Sequence, residues 1–319
     1  METEILSRLK GDKFNSRNAL LVSTGLTPDD TVEETVLVWD NGTLAATGSR
    51  SGNLLKCIAV DSRYQGEGLT ATVLTALRQA AFAAGHRHLF LYTKPQNSAQ
   101  FSSLFFYPVA ETKDVLLMED KKDGVNSFIS SLSASTFHGD VGAIVMNCDP
   151  FTRGHQHLVE RAAAACEHVY VFVLSEDKGC FSASDRLAMA TEGTAHLKNV
   201  TVYPTGPYLI SSATFPTYFL KESADASDVQ CQLDIAVFSK YFIPHFGITQ
   251  RFVGEEPLCP ITNQYNQALK EHLPIPLCVI PRLSQDAAPI SASAVRRLLQ
   301  SGNKEAAAAL VPTTTAKYF

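Results

Sequence analysis

Two short segments of this chain carry hydroxyl, imidazole and guanidinium groups at spacings suited to holding phosphate. The first, MNCDPFTRGHQHL, spans residues 146–158. It follows an apolar run, turns at Asp149–Pro150 and enters a helical pattern near Gly154 and His155. A helix start presents unpaired N–H groups and the positive end of the helix dipole, so it receives anions readily. Thr152 and His155 lie three apart and share one face of that turn. Gly154 lets a phosphate approach the backbone closely. The same residues also suit a plain reading, with Thr152 a helix cap and His155 a surface histidine; His157 is expected at the surface. The second segment, PISASAVRRLLQSG, spans residues 289–302. Ser291 or Ser293 can cap its helix, Val295, Leu298 and Leu299 form the buried stripe, and Gly302 marks the stop. Capping accounts for one serine. A second serine with Arg296 one turn on suits another anion site, the guanidinium supplying a forked cation.

Three further segments offer groups to the same chemistry. FSASDRLAMA puts Arg186 in the first turns of a helix, where it could reach phosphate oxygens or simply meet solvent. RFVGEEP puts Gly254, Glu255 and Glu256 just past a strand, at a ribose or base, or in a solvated loop. Lys178 could add a cation from the loop after a strand. Cys148 lies inside the first motif but reads as a small buried residue.

These groups need a scaffold. VGAIVMN, HVYVFVLS, NVTVYP, TQRFVG and LCVIPRL are short apolar runs rich in β-branched residues. Helical patterns fall between them at His155–Cys166, Ser184–His196, Leu233–Phe246 and Gln264–His272. Runs this continuous imply strands buried on both faces, hence a doubly wound, Rossmann-like parallel α/β sheet over residues 141–319. Its ligand site is expected outside the carboxyl ends of the strands. Residues 1–125 read as a smaller mixed α/β domain, with strand-like runs ETVLVWD, TLAATGS, LLKCIAV, HLFLYT and DVLLME, and helical stretches near 69–84 and 98–105. Residues 126–140 are polar and Ser-rich and read as a linker, with a short helix over 125–132.

Bulk properties narrow the class. At 319 residues, two domains are expected. A composition 45% hydrophobic and 18% charged is that of a globular protein. A net charge of −5 argues against bulk nucleic-acid binding. No run approaches the roughly 18 apolar residues of a membrane helix. The polar start, METEILSRLKGDKF, lacks a secretory apolar region, so the cytoplasm is the expected location, with no membrane partner. The seven cysteines include no C-x-x-C pair, so neither a zinc cluster nor a disulfide framework is expected.

Taken together, the T-x-G-H of the first motif and the I-S-x-S-x-x-R of the second, in that order and strand context, resemble the nucleotidylyltransferase superfamily. That resemblance implies that both motifs converge on a nucleotide triphosphate, with Asn147, Pro150, Phe151, Gly154, Arg186, Gly254, Glu255, Glu256, Ile290 and Ser291 around ATP and Thr152, His155, Ser293 and Arg296 as catalytic groups. Longer stretches, among them TVYPTGPYLISSATFPTYFLKE, GITQRFVGEEPLCPITNQYNQ and LVPTTTAKYF, are similar to citrate lyase ligases specifically, where a threonine such as Thr152 replaces the superfamily's first histidine. The block at 210–221 has no place in a minimal nucleotidylyltransferase. GNLLKCIAVDSRYQGEGLTATVLTAL resembles the core of a GNAT-type acetyltransferase, with Arg63, Gly66 and Gly68 opening a helix toward a CoA-like group; Phe105 stands where that pattern has a Gly–Phe step. The resemblance implies the family's reaction: ATP, Mg²⁺ and acetate make acetyl-adenylate, and the acetyl group passes to the thiol of the CoA-derived prosthetic group on the acyl carrier subunit of citrate lyase. The rivals are a nucleotidylyltransferase acting on a phosphorylated substrate such as pantetheine phosphate, a GNAT-type acetyltransferase whose second domain only binds nucleotide, and a nucleotide-sensing module without chemistry.

Overall fold

The computed structural model describes residues 1–177, 179–209, 215–220, 226–256, 260–285 and 288–319, with the backbone alone at 260–262, 285 and 288. Lys178 and, within the block at 210–221, residues 210–214 and 221 lie outside the described residues. The chain forms two compact units, Met1–Gly124 with Pro216–Val229, and Val125–Phe215 with Gln230–Phe319. The division is therefore not linear in sequence, because an excursion at 216–229 joins the first unit.

The first unit contains β1 (Glu2–Leu6), α1 (Gly11–Ser23), β2 (Glu34–Asp40), β3 (Thr43–Ser51), β4 (Leu54–Val60), α2 (Leu69–Ala83), β5 (Phe90–Thr93), α3 (Ser98–Ser102), β6 (Tyr107–Glu111) and β7 (Leu116–Glu119). Its seven-stranded sheet runs β1-β2-β3-β4-β5-β7-β6. Neighbours are antiparallel except β4 and β5, which pair in parallel only at Leu54–Phe90 and Leu55–Leu91. Beyond that short pairing, Ile58–Val60 and Leu91–Lys94 line the two sides of a cavity of about 740 Å³. Val73, Leu74 and Leu77 on α2 pack into the core with Val36, Val38, Leu55 and Leu91. The mixed α/β character expected of this segment is what the chain adopts.

The second unit contains α4 (Gly124–Ser131), β8 (Val141–Met146), α5 (Arg153–Ala165), β9 (His168–Val173), α6 (Ala183–Thr194), β10 (Val200–Pro204), α7 (Ala226–Val237) from Gln230 onward, a π-helical stretch (Phe238–Phe242), α8 (Ile243–Phe246), β11 (Gln250–Gly254), α9 (Pro260–His272), β12 (Leu277–Ile280), α10 (Ala292–Gln300), α11 (Lys304–Ala309) and α12 (Thr313–Ala316). Its five-stranded sheet runs β10-β9-β8-β11-β12, and every pairing is parallel. The five apolar runs picked out in the sequence are these five strands. Ile144, Val169, Val171 and Phe252 are buried on one face with Val159 of α5 and Met189 of α6. Arg251 and Val253, alternating with Phe252 on β11, face the other way. Chain order along the sheet reverses between β8 and β11, so a ligand crevice is expected beyond the carboxyl ends of those two strands.

Candidate functional site

The loop leaving β8 and the turn leaving β11 stand at that reversal. Thr152 is the N-cap of α5: the His155 backbone N–H donates to Thr152 Oγ1 at 3.3 Å. The reciprocal bond comes from the Thr152 backbone N–H, which donates to His155 Nδ1 at 3.0 Å, with Thr152 Oγ1 also 3.1 Å from Nδ1. This is a capping box in which imidazole takes the place of the usual Glu or Gln. A ring nitrogen that accepts from an N–H carries no proton, so in neutral His155 the proton sits on Nε2. Burial first, and then the positive charge of Arg282, push the His155 pKa down to about 4. His155 is thus a neutral imidazole at ordinary pH, its Nε2–H directed away from the cap. The buried ring of Phe151 stacks on it, centroids 5.7 Å apart and planes 24° from parallel. The cap and the candidate phosphate donor, alternatives in sequence, are the same pair of residues.

The start of α10 lies against the start of α5. Ser291 is the N-cap, accepting from the Ala294 N–H at 3.1 Å. A Cβ at Gly154 would stand 3.3 Å from the Ile290 carbonyl oxygen, so the two segments touch there. Arg296 reaches across, donating through Nη1 to the Asp149 carbonyl oxygen and standing 3.6 Å from its carboxylate. Nη2 of Arg296 donates to Ser293 Oγ at 3.3 Å. Thr152, His155, Ser291, Ser293 and Arg296 therefore converge on one place, together with Pro150, Phe151, Gly154 and Ile290.

The other candidates divide. Arg186 is buried behind the loop rather than open to a ligand: Nη1 donates to Asn147 O at 2.8 Å and Asn147 Oδ1 at 2.6 Å, and Nη2 to Glu176 O. It braces Asn147 in position. Gly254 ends β11, its carbonyl accepting from Asn266 Nδ2 at 3.1 Å. Glu255 is exposed and its N–H donates to Ile280 O at 2.8 Å, while the Glu256 carboxylate pairs with Arg282. Burial pushes the Cys148 thiol pKa well up, which leaves it a poor nucleophile. In the first unit Gly66 and Gly68, at φ +88° and +75°, line the cavity with Tyr64, Thr70 and Gln100. Arg63 does not line it, because its exposed guanidinium is held by Asp61 at 2.9 and 3.0 Å.

Two participants were not picked out from the sequence. The Asp149 carboxylate accepts from the N–H groups of Cys180 (3.1 Å) and Phe181 (3.0 Å) and so ties the loop after β8 to the loop after β9. Arg282, whose Nε donates to Glu255 O at 2.7 Å, supplies the charge felt by His155. Its position just past β12, at the ligand end of a parallel strand, was the available signal.

Comparison with known proteins places this arrangement. A family model for the citrate lyase ligase C-terminal domain matches residues 141–319. The citrate (pro-3S)-lyase ligase of Klebsiella pneumoniae is 43% identical over 285 residues, covering 86% of this chain and 83% of that one. That of Escherichia coli K12 is 37% identical over 324 residues (98% and 92%), and that of Haemophilus influenzae 34% identical over 318 (96% and 95%). Among solved structures, an acyl-CoA N-acyltransferase from Pseudomonas aeruginosa matches at 16% identity and a TM-score of 0.32, covering 37% of this chain and 96% of that one. With the family's own domain over more than half its length and such relatives along nearly all of it, the chain belongs to the citrate lyase ligase family.

Proposed function

We propose that the chain is an acid–thiol ligase that activates acetate with ATP and acetylates the thiol of the CoA-derived prosthetic group on the acyl carrier subunit of citrate lyase, releasing AMP and pyrophosphate. The observation that carries this is the abutment of two capped helix starts, those of α5 and α10, at the reversal point of the parallel sheet. Each start supplies backbone N–H groups; Thr152, His155, Ser291, Ser293 and Arg296 add donors and a positive charge.

In the first step an acetate oxygen attacks the α-phosphorus, and the bond from that phosphorus to the bridging oxygen of pyrophosphate breaks. Negative charge grows on the leaving and equatorial oxygens, so donors fixed in advance are the main catalytic resource. His155 donates from Nε2 to an α-phosphate oxygen without needing a positive charge of its own. Thr152, Ser291, Ser293 and Arg296 hold the β- and γ-phosphates. Among the described residues no group of three His, Cys, Asp or Glu is placed to cage a metal ion, and Asp149 is engaged by two N–H groups and Arg296. Mg²⁺ fits this site as part of the nucleotide, carried by phosphate oxygens and water. In the second step the carrier thiolate attacks the acetyl carbonyl and AMP leaves. The incoming thiol is the acceptor, so Cys148 has no part in it. The first unit's cavity, with its two positive-φ glycines at the start of α2, suits the phosphate and pantetheine-like arm of the prosthetic group.

The test is release of AMP and pyrophosphate with acetate, with and without thiol-form citrate lyase, beside acetate-dependent exchange of pyrophosphate into ATP. His155→Ala is expected to lose about 10²–10³ in exchange rate while remaining folded. Exchange that needs no acetate would favour transfer of the nucleotide to a phosphorylated substrate, and acetyl-CoA consumption without ATP would favour an acetyltransferase. Undiminished exchange in a folded His155→Ala protein would remove His155 from the mechanism.

A further inference from the structure

Arg251 lies on β11 three residues before Gly254, with 1% of its surface exposed. A buried guanidinium is ordinarily surrounded by acceptors, because every unpaired N–H away from water is costly. Here Nη2 donates to Tyr265 Oη at 2.8 Å, while Nε and Nη1 are buried with no hydrogen-bond partner among the described residues. Asp234, from α7, accepts from the Tyr265 hydroxyl and lies close enough for the Arg251 charge to act on its carboxylate, so the cation has a counter-charge nearby while two of its donor nitrogens stay unused. Two aromatic rings flank the cation, Phe238 of the π-helical stretch with its centroid at 4.5 Å and Tyr265 of α9 at 5.7 Å. A cation between apolar walls, with unused donors, is a receptor for a small anion with an apolar tail.

The cluster adjoins the nucleotide site at two points. Asn266, next to Tyr265 on α9, holds the Gly254 carbonyl. Glu176, whose backbone carbonyl accepts from the Arg186 that braces Asn147, lies close enough for its charge to act on Asp234. The wall it shares comes from α7 and the π-helical stretch, which lie in the connection between β10 and β11. One-turn π segments of this kind recur at functional sites.

We infer that Arg251, walled by Phe238 and Tyr265, is the residue that reads the carboxylate of the acyl substrate, so that the π-helical stretch after α7 and the facing turn of α9 carry acid specificity. This rests on the proposed adenylation of acetate. An acetate ion matches both features in its chemistry: two oxygens that can accept from a guanidinium, and a methyl group suited to aromatic walls.

The test uses the full chain in acetate-dependent pyrophosphate exchange, with KM for acetate and for ATP measured separately in Arg251→Gln and Arg251→Lys. A charge-assisted hydrogen bond of this kind corresponds to about a 10- to 100-fold effect. Arg251→Gln is therefore expected to raise the KM for acetate about 10- to 100-fold, with the KM for ATP unchanged within twofold and Arg251→Lys intermediate. Should Arg251→Gln fail to fold, the same selective rise in Arg251→Lys supports the assignment. An unchanged KM for acetate, an equal change for both substrates, or loss of folding in both variants would make Arg251 a framework residue and overturn it. Absence of acetate-dependent exchange in the unmodified protein would instead overturn the adenylation reading, so the two failures are told apart.

Discussion

Gly193 is the point from which the site can be disturbed without touching it. It lies near the end of α6, and a Cβ built there would stand 2.5 Å from Phe151 Cε1 and 2.8 Å from Cδ1. Ordinary contact begins near 3.4 Å, so Gly193→Ala requires the ring or the helix to retreat by about 1 Å. Phe151 is fully buried and stacked on His155, so a shift of the ring changes its contact with the imidazole. Overpacking of this kind costs about 1–3 kcal/mol, which in a unit of this size lowers Tm by roughly 2–4 °C for each kcal/mol. A displacement of about 1 Å at a reacting group can cost about 10²-fold in rate, and the capping box resists part of it. The expected result for Gly193→Ala is a pyrophosphate-exchange kcat lower by about 10- to 100-fold, a KM for ATP within threefold, and a melting transition lower by several degrees in circular dichroism. Adding Phe151→Leu should return part of both losses, since the smaller side chain leaves room for the methyl group, and a double-mutant cycle measures that return. A variant destabilised to this degree yet fully active would show that the ring moves away from His155, refuting the link from α6 through Phe151 to the imidazole.

Two further outcomes follow from single residues. Because burial holds the His155 pKa near 4 in the folded chain against about 6.5 when unfolded, the unfolded state takes up the proton first as pH falls. The stability that the neutral ring contributes is full above pH 6.5 and is lost between pH 6.5 and 4, amounting to at most about 3 kcal/mol. His155→Gln keeps a capping-box partner without a titrating ring, so denaturant unfolding at pH 7 and pH 4 should show a smaller acid loss than in the unmodified protein; equal losses would contradict the depressed pKa. Phe105, 69% exposed, holds φ at +61°, a left-handed conformation that strains a residue with a Cβ by roughly 1–2 kcal/mol. Phe105→Gly should raise the stability of the first unit by about 0.5–1 kcal/mol after glycine's greater chain entropy is set against the relief, and a lower unfolding midpoint would count against it.

The second unit was open to reading because its central strands β8 and β9 are almost wholly buried, so Ile144, Val145, Val171 and Phe172 stand in unbroken apolar runs. The edge strands β10 and β12 are half-exposed instead of buried on both faces, because each has a neighbour on one side only. The caps were local patterns too: the sequence offers Thr152 as one, and leaves the second open between Ser291, which is the cap, and Ser293. What escaped depended on distant partners. The residues that precede β2 form β1 and α1, a half-exposed edge strand and a helix of weak apolar periodicity, both drawn into place by pairing with β2 and packing on β3 and β4. Arg296 lies 147 residues from Asp149 in sequence, and no spacing rule finds such a pair. Nor does one find Tyr218, which the excursion at 216–229 brings to donate to the Tyr92 carbonyl at 2.6 Å in the first unit. Arg186 had the right residue type near the right loop, but only its surroundings reveal that it faces Asn147 from behind.

A residue that caps a helix is commonly set aside as structural, and here that separation fails on physical grounds. A histidine used as a hydrogen-bond donor needs a fixed tautomer and a fixed ring plane. The Thr152 N–H gives His155 the first, by accepting no alternative to an unprotonated Nδ1, and the Phe151 ring gives it the second. The bond that stabilises the first turn of α5 thereby sets which nitrogen carries the proton. The cap of α10 works in the same way, since Ser291 starts the turn that brings Ser293 and Arg296 to one side of the helix, and Arg296 in turn closes on Asp149. Arg296 is held by a neutral carbonyl, a hydroxyl and a carboxylate 3.6 Å away. A polyphosphate with several negative oxygens is a stronger partner for a guanidinium than that set, so the proposed nucleotide binding would draw on the same cation as the contact between the two helix starts.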